Sequence, residues 1–206
     1  NFFIKKYKTK SLLVEPIEEN FNLLKENYKN LGFITFENSA ISVNEEIAYL
    51  YKVDSRHIEK YGSHIPAIPS FDKKHLINHG VKNQHIVSEK VNSITILDLI
   101  NKHKFNNLDL LFIDAEGYDG RIVNDFLSTV NTRPIIMFEY IHIDNNVYEK
   151  LINKLLTLLQ NETIKQKTDI IYMSGPYVTI HTFVDGIRDN TSFLNDNEKR
   201  FNRTIR

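Results

Sequence analysis

Apolar residues in this chain come in short runs separated by segments of helical spacing, and that alternation sets out the elements. Ser11-Leu12-Leu13-Val14 is an apolar run that stops at Glu15-Pro16, the pattern of a buried strand, and Pro16 suits a first helical turn. From Ile17 to Asn30 the apolar positions Ile17, Phe21, Leu24 and Tyr28 share one helical stripe, which Gly32 ends. Phe33-Ile34-Thr35-Phe36 is the next predicted strand, closed by the polar turn Glu37-Asn38-Ser39. A strand is predicted from Glu46 to Val53. The polar, His-rich stretch from Asp54 to Asn83 reads as loop with one short helix. A strand follows from His85 to Val91, then a helix from Thr95 to His103 with Leu97 and Ile100 on its buried side. Leu108 to Ile113 is nearly all apolar, as in a strand covered on both faces. A helix from Gly120 to Val130, a strand from Pro134 to Tyr140 and a helix from Asn145 to Leu159 come next; the last carries Val147, Leu151, Leu155 and Leu158 at helical spacing. Asp169 to Met173 and Tyr177 to Phe183 read as an antiparallel pair around Ser174-Gly175-Pro176. Residues 1–183 are expected to form one domain, with 184–206 a polar tail.

Strands alternating with helices imply an α/β fold with a largely parallel sheet, in which ligands sit beyond the C-terminal ends of the strands. Three predicted strands end in Glu15, Asn38 and Asp114, and a fourth carries Glu139 at its end. Glu15 is placed either to accept both hydroxyls of a ribose or to sit as a carboxylate at a helix N-terminus. The Asn38-Ser39-Ala40 segment could bond an adenine edge and leave room for the ring, or cap a helix. Asp114-Ala115-Glu116-Gly117-Tyr118-Asp119-Gly120 crowds three carboxylates and two of the seven glycines into one turn. Such crowding suits a shared proton or a cation, or simply caps the next helix. His142, shortly after Glu139, is the best-placed histidine for proton transfer because imidazole titrates near neutrality.

Composition narrows the classes. The 206 residues hold 26 basic and 26 acidic side chains, so the formal net charge is zero, which argues against a nucleic-acid binder. Cysteine is absent, which removes disulfides, thiolate nucleophiles and Cys-ligated zinc. The eight histidines show no HExxH-type spacing, so no metal is assigned from them, and a surface role is expected for each of those other than His142. Asn, Lys and Ile make up 68 of the 206 residues, a bias that empties scattered Lys and Asn of meaning. No apolar run approaches the roughly 18 residues of a membrane span, and the N-terminus lacks the order of a signal peptide, so a cytoplasmic location is expected.

Five ordered segments together resemble the FkbM-type S-adenosylmethionine-dependent methyltransferases. Val14-Glu15-Pro16 with Asn20-Phe21-Asn22-Leu23-Leu24 and Asn27 is similar to the family's "EP…nf..L..N" segment, and Asn38-Ser39-Ala40-Ile41-Ser42 to its adenine-proximal segment. Ser93-Ile94-Thr95-Ile96-Leu97-Asp98-Leu99-Ile100 is similar to "tLD.l", Leu110 to Asp119 to "lkiDvEG.e", and Pro134 to Glu139 to "p.ii.E". The resemblance implies a class I, Rossmann-like fold and methyl transfer from S-adenosyl-L-methionine to a hydroxyl of a small molecule, a sugar or a glycan. It implies that Glu15 holds the cofactor ribose and that Asn38, Ser39 and Ala40 flank adenine. Asp114 and Glu116 would then face the reacting methyl, with His142 as a candidate base and Tyr118 and Glu139 toward the acceptor.

Two departures stand out. The family's first strand and Gly-rich loop are expected upstream of Asn1, and Asp119 stands where the family has Glu. Two other readings remain open at this point: a methyltransferase-like module that binds no cofactor, and a dinucleotide site using Glu15, the latter without any GxGxxG.

Overall fold

The apolar runs become strands and the striped segments become helices, in the order anticipated. The computed structural model describes residues 2–43, 47–132, 134–160, 170–174 and 177–181. The chain runs α1 (Phe2–Tyr7), β1 (Ser11–Val14), α2 (Glu18–Tyr28), β2 (Ile34–Glu37), β3 (Ala40–Ile41), β4 (Ile47–Val53), α3 (Lys73–Asn78), β5 (Ile86–Ile94) and α4 (Ile96–His103). It continues through β6 (Leu110–Ile113), α5 (Asp119–Thr129), β7 (Ile135–Glu139), α6 (Asn145–Gln160), β8 (Ile170–Ser174) and β9 (Tyr177–His181). The stretch from Asp54 to Asn83 carries more structure than one short helix: 3-10 turns at Ser55–Lys60 and Ile65–Ala67 precede α3. Its apolar residues explain this, because Ile65, Ile68, Leu76 and Val81 bury against Val53 and Ile86 in a small core of their own. The residues joining β8 to β9 and those of 184–206 lie outside the described residues.

The strands form three small sheets. β1 pairs with β2 in parallel, with Val14 opposite Glu37. In the second sheet β5 is central, parallel to β3 and antiparallel to β4. In the third, β6, β7 and β8 are parallel and β9 closes antiparallel to β8. Strands joined by helices are thus parallel where their C-terminal ends carry Glu15, Asn38, Asp114 and Glu139, which sets each pair of ends on a common edge.

The main core is made by α4, α5, α6, β6 and β7. Phe126, Phe138, Ile136, Val123 and Leu151 are fully buried there, and Leu12 and Val14 of β1 pack on the same cluster. Burying one such ring stabilises by about 2–3 kcal/mol.

Two expectations are corrected. Among the described residues β6 pairs on one side only, with β7, so its alternate residues open outward: Phe112 is 51% exposed and Leu110 37%, while Ile113 is buried. And in α4 it is Ile96, Leu99 and Ile100 that face the core, with Leu97 turned outward. The start of that helix is set by Thr95, whose Oγ1 accepts the Asp98 N–H at 3.1 Å. No helix among the described residues is long and apolar enough to cross a membrane.

Candidate functional site

The turn between β6 and α5 is built on backbone that only a few residue types tolerate. Glu116 has φ +50° and Gly117 φ +94°, both left-handed. The first costs about 1–2 kcal/mol in a residue with a Cβ; the second is open to glycine. A Cβ at Gly117 would lie 2.8 Å from the carbonyl oxygen of His142, so the turn and the segment after β7 touch backbone to backbone.

Asp119 holds this turn in place. Its side chain is fully buried, and the carboxylate accepts N–H bonds from Ala115 (3.2 and 3.3 Å), Gly117 (3.2 Å) and Glu139 (3.3 Å). One side chain thereby ties the end of β6, the left-handed turn and the end of β7. Burial pushes its pKa up from 3.8 to about 6; the Asp114 charge adds to the rise and the N–H bonds oppose it. A second brace comes from the polar stretch: Ser70, also buried, donates from Oγ to the Glu116 carbonyl at 2.8 Å.

With the turn so held, Glu116 meets a group of imidazoles. His75 of α3 is only 7% exposed, and its Nε2 lies 2.9 Å from Glu116 Oε2. The His142 ring stands edge-on to His75, with centroids 4.8 Å apart, and 5.3 Å from His79, which in turn is 4.4 Å from His75. His142 Nε2 is 3.9 Å from Glu139 Oε2. Partial burial, then the neighbouring His75 and His79, lower the His142 pKa, against the pull of Glu116, and so favour the neutral ring. Asp114, at the mouth of the same turn, has its pKa raised by desolvation and by the charge of Glu116. Tyr118 stacks on Phe71 with ring centroids 4.2 Å apart, and the Arg121 guanidinium lies over its ring at 5.5 Å.

The edge of β1 and β2 forms a second group. Glu15 Oε1 accepts the Ile17 N–H at 2.8 Å, just ahead of α2; burial raises its pKa, against the bonds from Ile17 and Asn20. Asn38 donates through Nδ2 to the carbonyls of Glu15 (2.9 Å) and Pro16 (3.2 Å), clamping the two strand ends together. Ala40 is buried in a cluster with Ile17, Ala48, Leu50 and Val91. Ser39 donates to Glu37 at 2.8 Å, and Glu37 is itself buried with His103 at 2.6 Å and Lys102 at 2.8 Å. Burial opposes the Glu37 charge, but the bonds from Lys102, His103 and Ser39 hold its pKa below the usual carboxylate value. Asn38 and Ser39 line an open depression with Glu37, Asn92, Ser93 and Lys102; Glu15 and Asp114 are not part of its lining.

The structure therefore brings Glu116, His142 and Glu139 together, with Asp114 and Tyr118 on the same turn, and gathers Glu15, Asn38, Ser39 and Ala40 at the edge of β1 and β2. Residues that sequence reasoning passed over are Asp119 as the brace, Ser70, and the buried His75. His85, also expected at the surface, is buried too, with its Nδ1 2.5 Å from the Tyr61 hydroxyl. A signal existed for His75: it stands four residues before His79, the spacing that sets two side chains on one helical face.

The FkbM methyltransferase domain model matches residues 1–165. No curated protein and no solved structure matches the chain significantly. A match over that much of the chain, on a fold whose acidic turn is built as described, settles the family: the chain belongs to the FkbM methyltransferase domain family.

Proposed function

We propose that the protein is an S-adenosylmethionine-dependent O-methyltransferase acting on a hydroxyl of a small molecule, a sugar or a glycoconjugate. The family match over residues 1–165 carries the reading, and the chemistry of the strand ends supports it. The residues fit such a cofactor: Glu15 stands just beyond β1 with its pKa raised by burial, a carboxylate that gains from further hydroxyl donors such as those of a ribose. Asn38 fixes the backbone beneath Glu15, and Ser39 follows it.

When bound, S-adenosylmethionine supplies an electrophilic methyl carried on a sulfonium. The chain's own part is to align the acceptor and take its proton. As an acceptor hydroxyl oxygen took up that methyl, its proton would pass to a protein base. Asp114, with its raised pKa, and the neutral His142 are suited to that role, while Glu116 and Glu139 accept hydrogen bonds from other acceptor hydroxyls. The Tyr118 ring, fixed by Phe71, walls one side. Alignment on so rigid a turn accounts for much of the rate. A partner other than nucleic acid goes with this reading and rests on the zero formal net charge.

Asp114→Asn in the full-length protein tests the base. Transfer of labelled methyl to hydroxylated acceptors is expected to fall by about 10²–10⁴-fold with the circular dichroism spectrum unchanged. Undiminished transfer would remove Asp114 from the chemistry.

A further inference from the structure

His75, Glu116 and His142 come from three separate segments, yet one ligand atom from each lies within 4.8 Å of the other two. The closest pair is informative. His75 Nε2 is buried and makes no hydrogen bond of acceptable geometry, although Glu116 Oε2 is 2.9 Å away. Two ligands about 2.1 Å from one tetrahedral ion are about 3.4 Å apart, so a small opening of the 2.9 Å pair would seat an ion between them. The turn that carries Glu116 is held in a left-handed conformation by Asp119 and Ser70, and Gly117 lets the His142 backbone come against it. Strain kept in place by so many contacts is characteristic of a working site.

We propose that His75, Glu116 and His142 bind one divalent transition-metal ion of the zinc class, with His79 packed beside them. Two imidazoles and one carboxylate are borderline ligands that suit such ions and disfavour magnesium or calcium, which take oxygen donors. Three protein ligands leave positions open. His79 Nδ1 lies 2.9 Å from the His75 carbonyl oxygen, a bond that fixes its ring on the same helix face. On the methyltransferase reading above, an open position takes the acceptor's hydroxyl oxygen and lowers its pKa, and proton removal then falls to Asp114, since the ion occupies the His142 lone pair.

Metal-free full-length protein is prepared by dialysis against a chelator and titrated with Zn²⁺ by calorimetry, with Co²⁺ followed by visible absorption and Mg²⁺ as a control. Neither S-adenosylmethionine nor acceptor is present, so this test can fail or succeed independently of the transfer reaction. One Zn²⁺ per chain is expected. Glu116→Gln and His142→Ala, both of partly exposed residues and checked for folding by circular dichroism, should each weaken binding by about 100-fold or more, since even the loss of an outer partner costs about 10–100-fold. His64→Ala should leave binding unchanged. No uptake by the wild type, undiminished uptake by the double variant Glu116→Gln/His142→Ala, or equal uptake of Mg²⁺ would each overturn the proposal.

Discussion

Replacing Asp119 by Asn separates the two things its carboxylate does, bracing a turn and carrying a buried charge. The fully buried carboxylate has a pKa of about 6 against 3.8 unfolded. The sign follows directly. The folded state holds its proton up to about pH 6 while the unfolded chain releases it near pH 4, so between those values folding becomes less favourable as pH rises. A displacement of about two units at about 1.4 kcal/mol each amounts to roughly 3 kcal/mol. The amide of the Asp119→Asn variant does not titrate. Wild-type stability relative to Asp119→Asn should therefore fall by about 3 kcal/mol from pH 4 to pH 7, or roughly 6–12 °C in Tm for a chain of this size. Asp119→Ala sets the other limit, because it leaves the N–H groups of Ala115, Gly117 and Glu139 without their acceptor. At 3.2–3.3 Å these bonds are long, so about 1 kcal/mol each, or roughly 3 kcal/mol together, is the expected loss. Urea unfolding of the three proteins at pH 4, 5, 6 and 7 measures both. A wild-type-to-Asn difference that stays level with pH, or shifts in the wild type's favour as pH rises, would refute the reasoning.

Other outcomes follow from the same contacts. Glu37→Gln breaks a buried carboxylate away from Lys102, His103 and Ser39 and should cost about 2–3 kcal/mol at pH 7 by urea unfolding. Because the folded Glu37 pKa lies below 4.5, that cost should be present above pH 4.5 and shrink as pH falls through the lowered value, the reverse of Asp119. Gly117→Ala forces a Cβ onto the His142 carbonyl at positive φ and should lose about 2–3 kcal/mol, whereas Gly32→Ala, with nothing within 4 Å of its new Cβ, should stay within about 0.5 kcal/mol; thermal melts compare them. Phe126→Ala empties a fully buried core position and should cost about 3–5 kcal/mol in the same melts.

Hydrophobic spacing located β1, α2, α5 and β7 to within a residue or two, since each buries a stripe that its period reveals. It failed where neighbours decide. Phe112 is as apolar as a doubly covered strand requires, but apolarity does not say whether a strand lies alongside. In α4 eight residues cover barely two turns, so a register with Leu97 inward fits the pattern almost as well as the one with Leu99. The acidic turn was legible because its carboxylates and glycines are contiguous in sequence. Its partners were not: His75 reaches Glu116 only because Ile65, Ile68 and Leu76 give the polar stretch a core, and Ser70 and Asp119 then hold the turn against it. Asp119 looked like a shortened Glu, yet the shorter side chain is what its three N–H partners enclose.

The central claim is that the carboxylates beyond β1 and β6 form a methyl-donor site. Calorimetric titration of S-adenosylmethionine into the full-length protein, wild type and Glu15→Gln, tests it most directly. Binding of one molecule per chain is predicted, weakened about 10–100-fold by the substitution, as expected for loss of hydrogen bonds to a charged acceptor. No binding by the wild type, or equal binding by both, would contradict it.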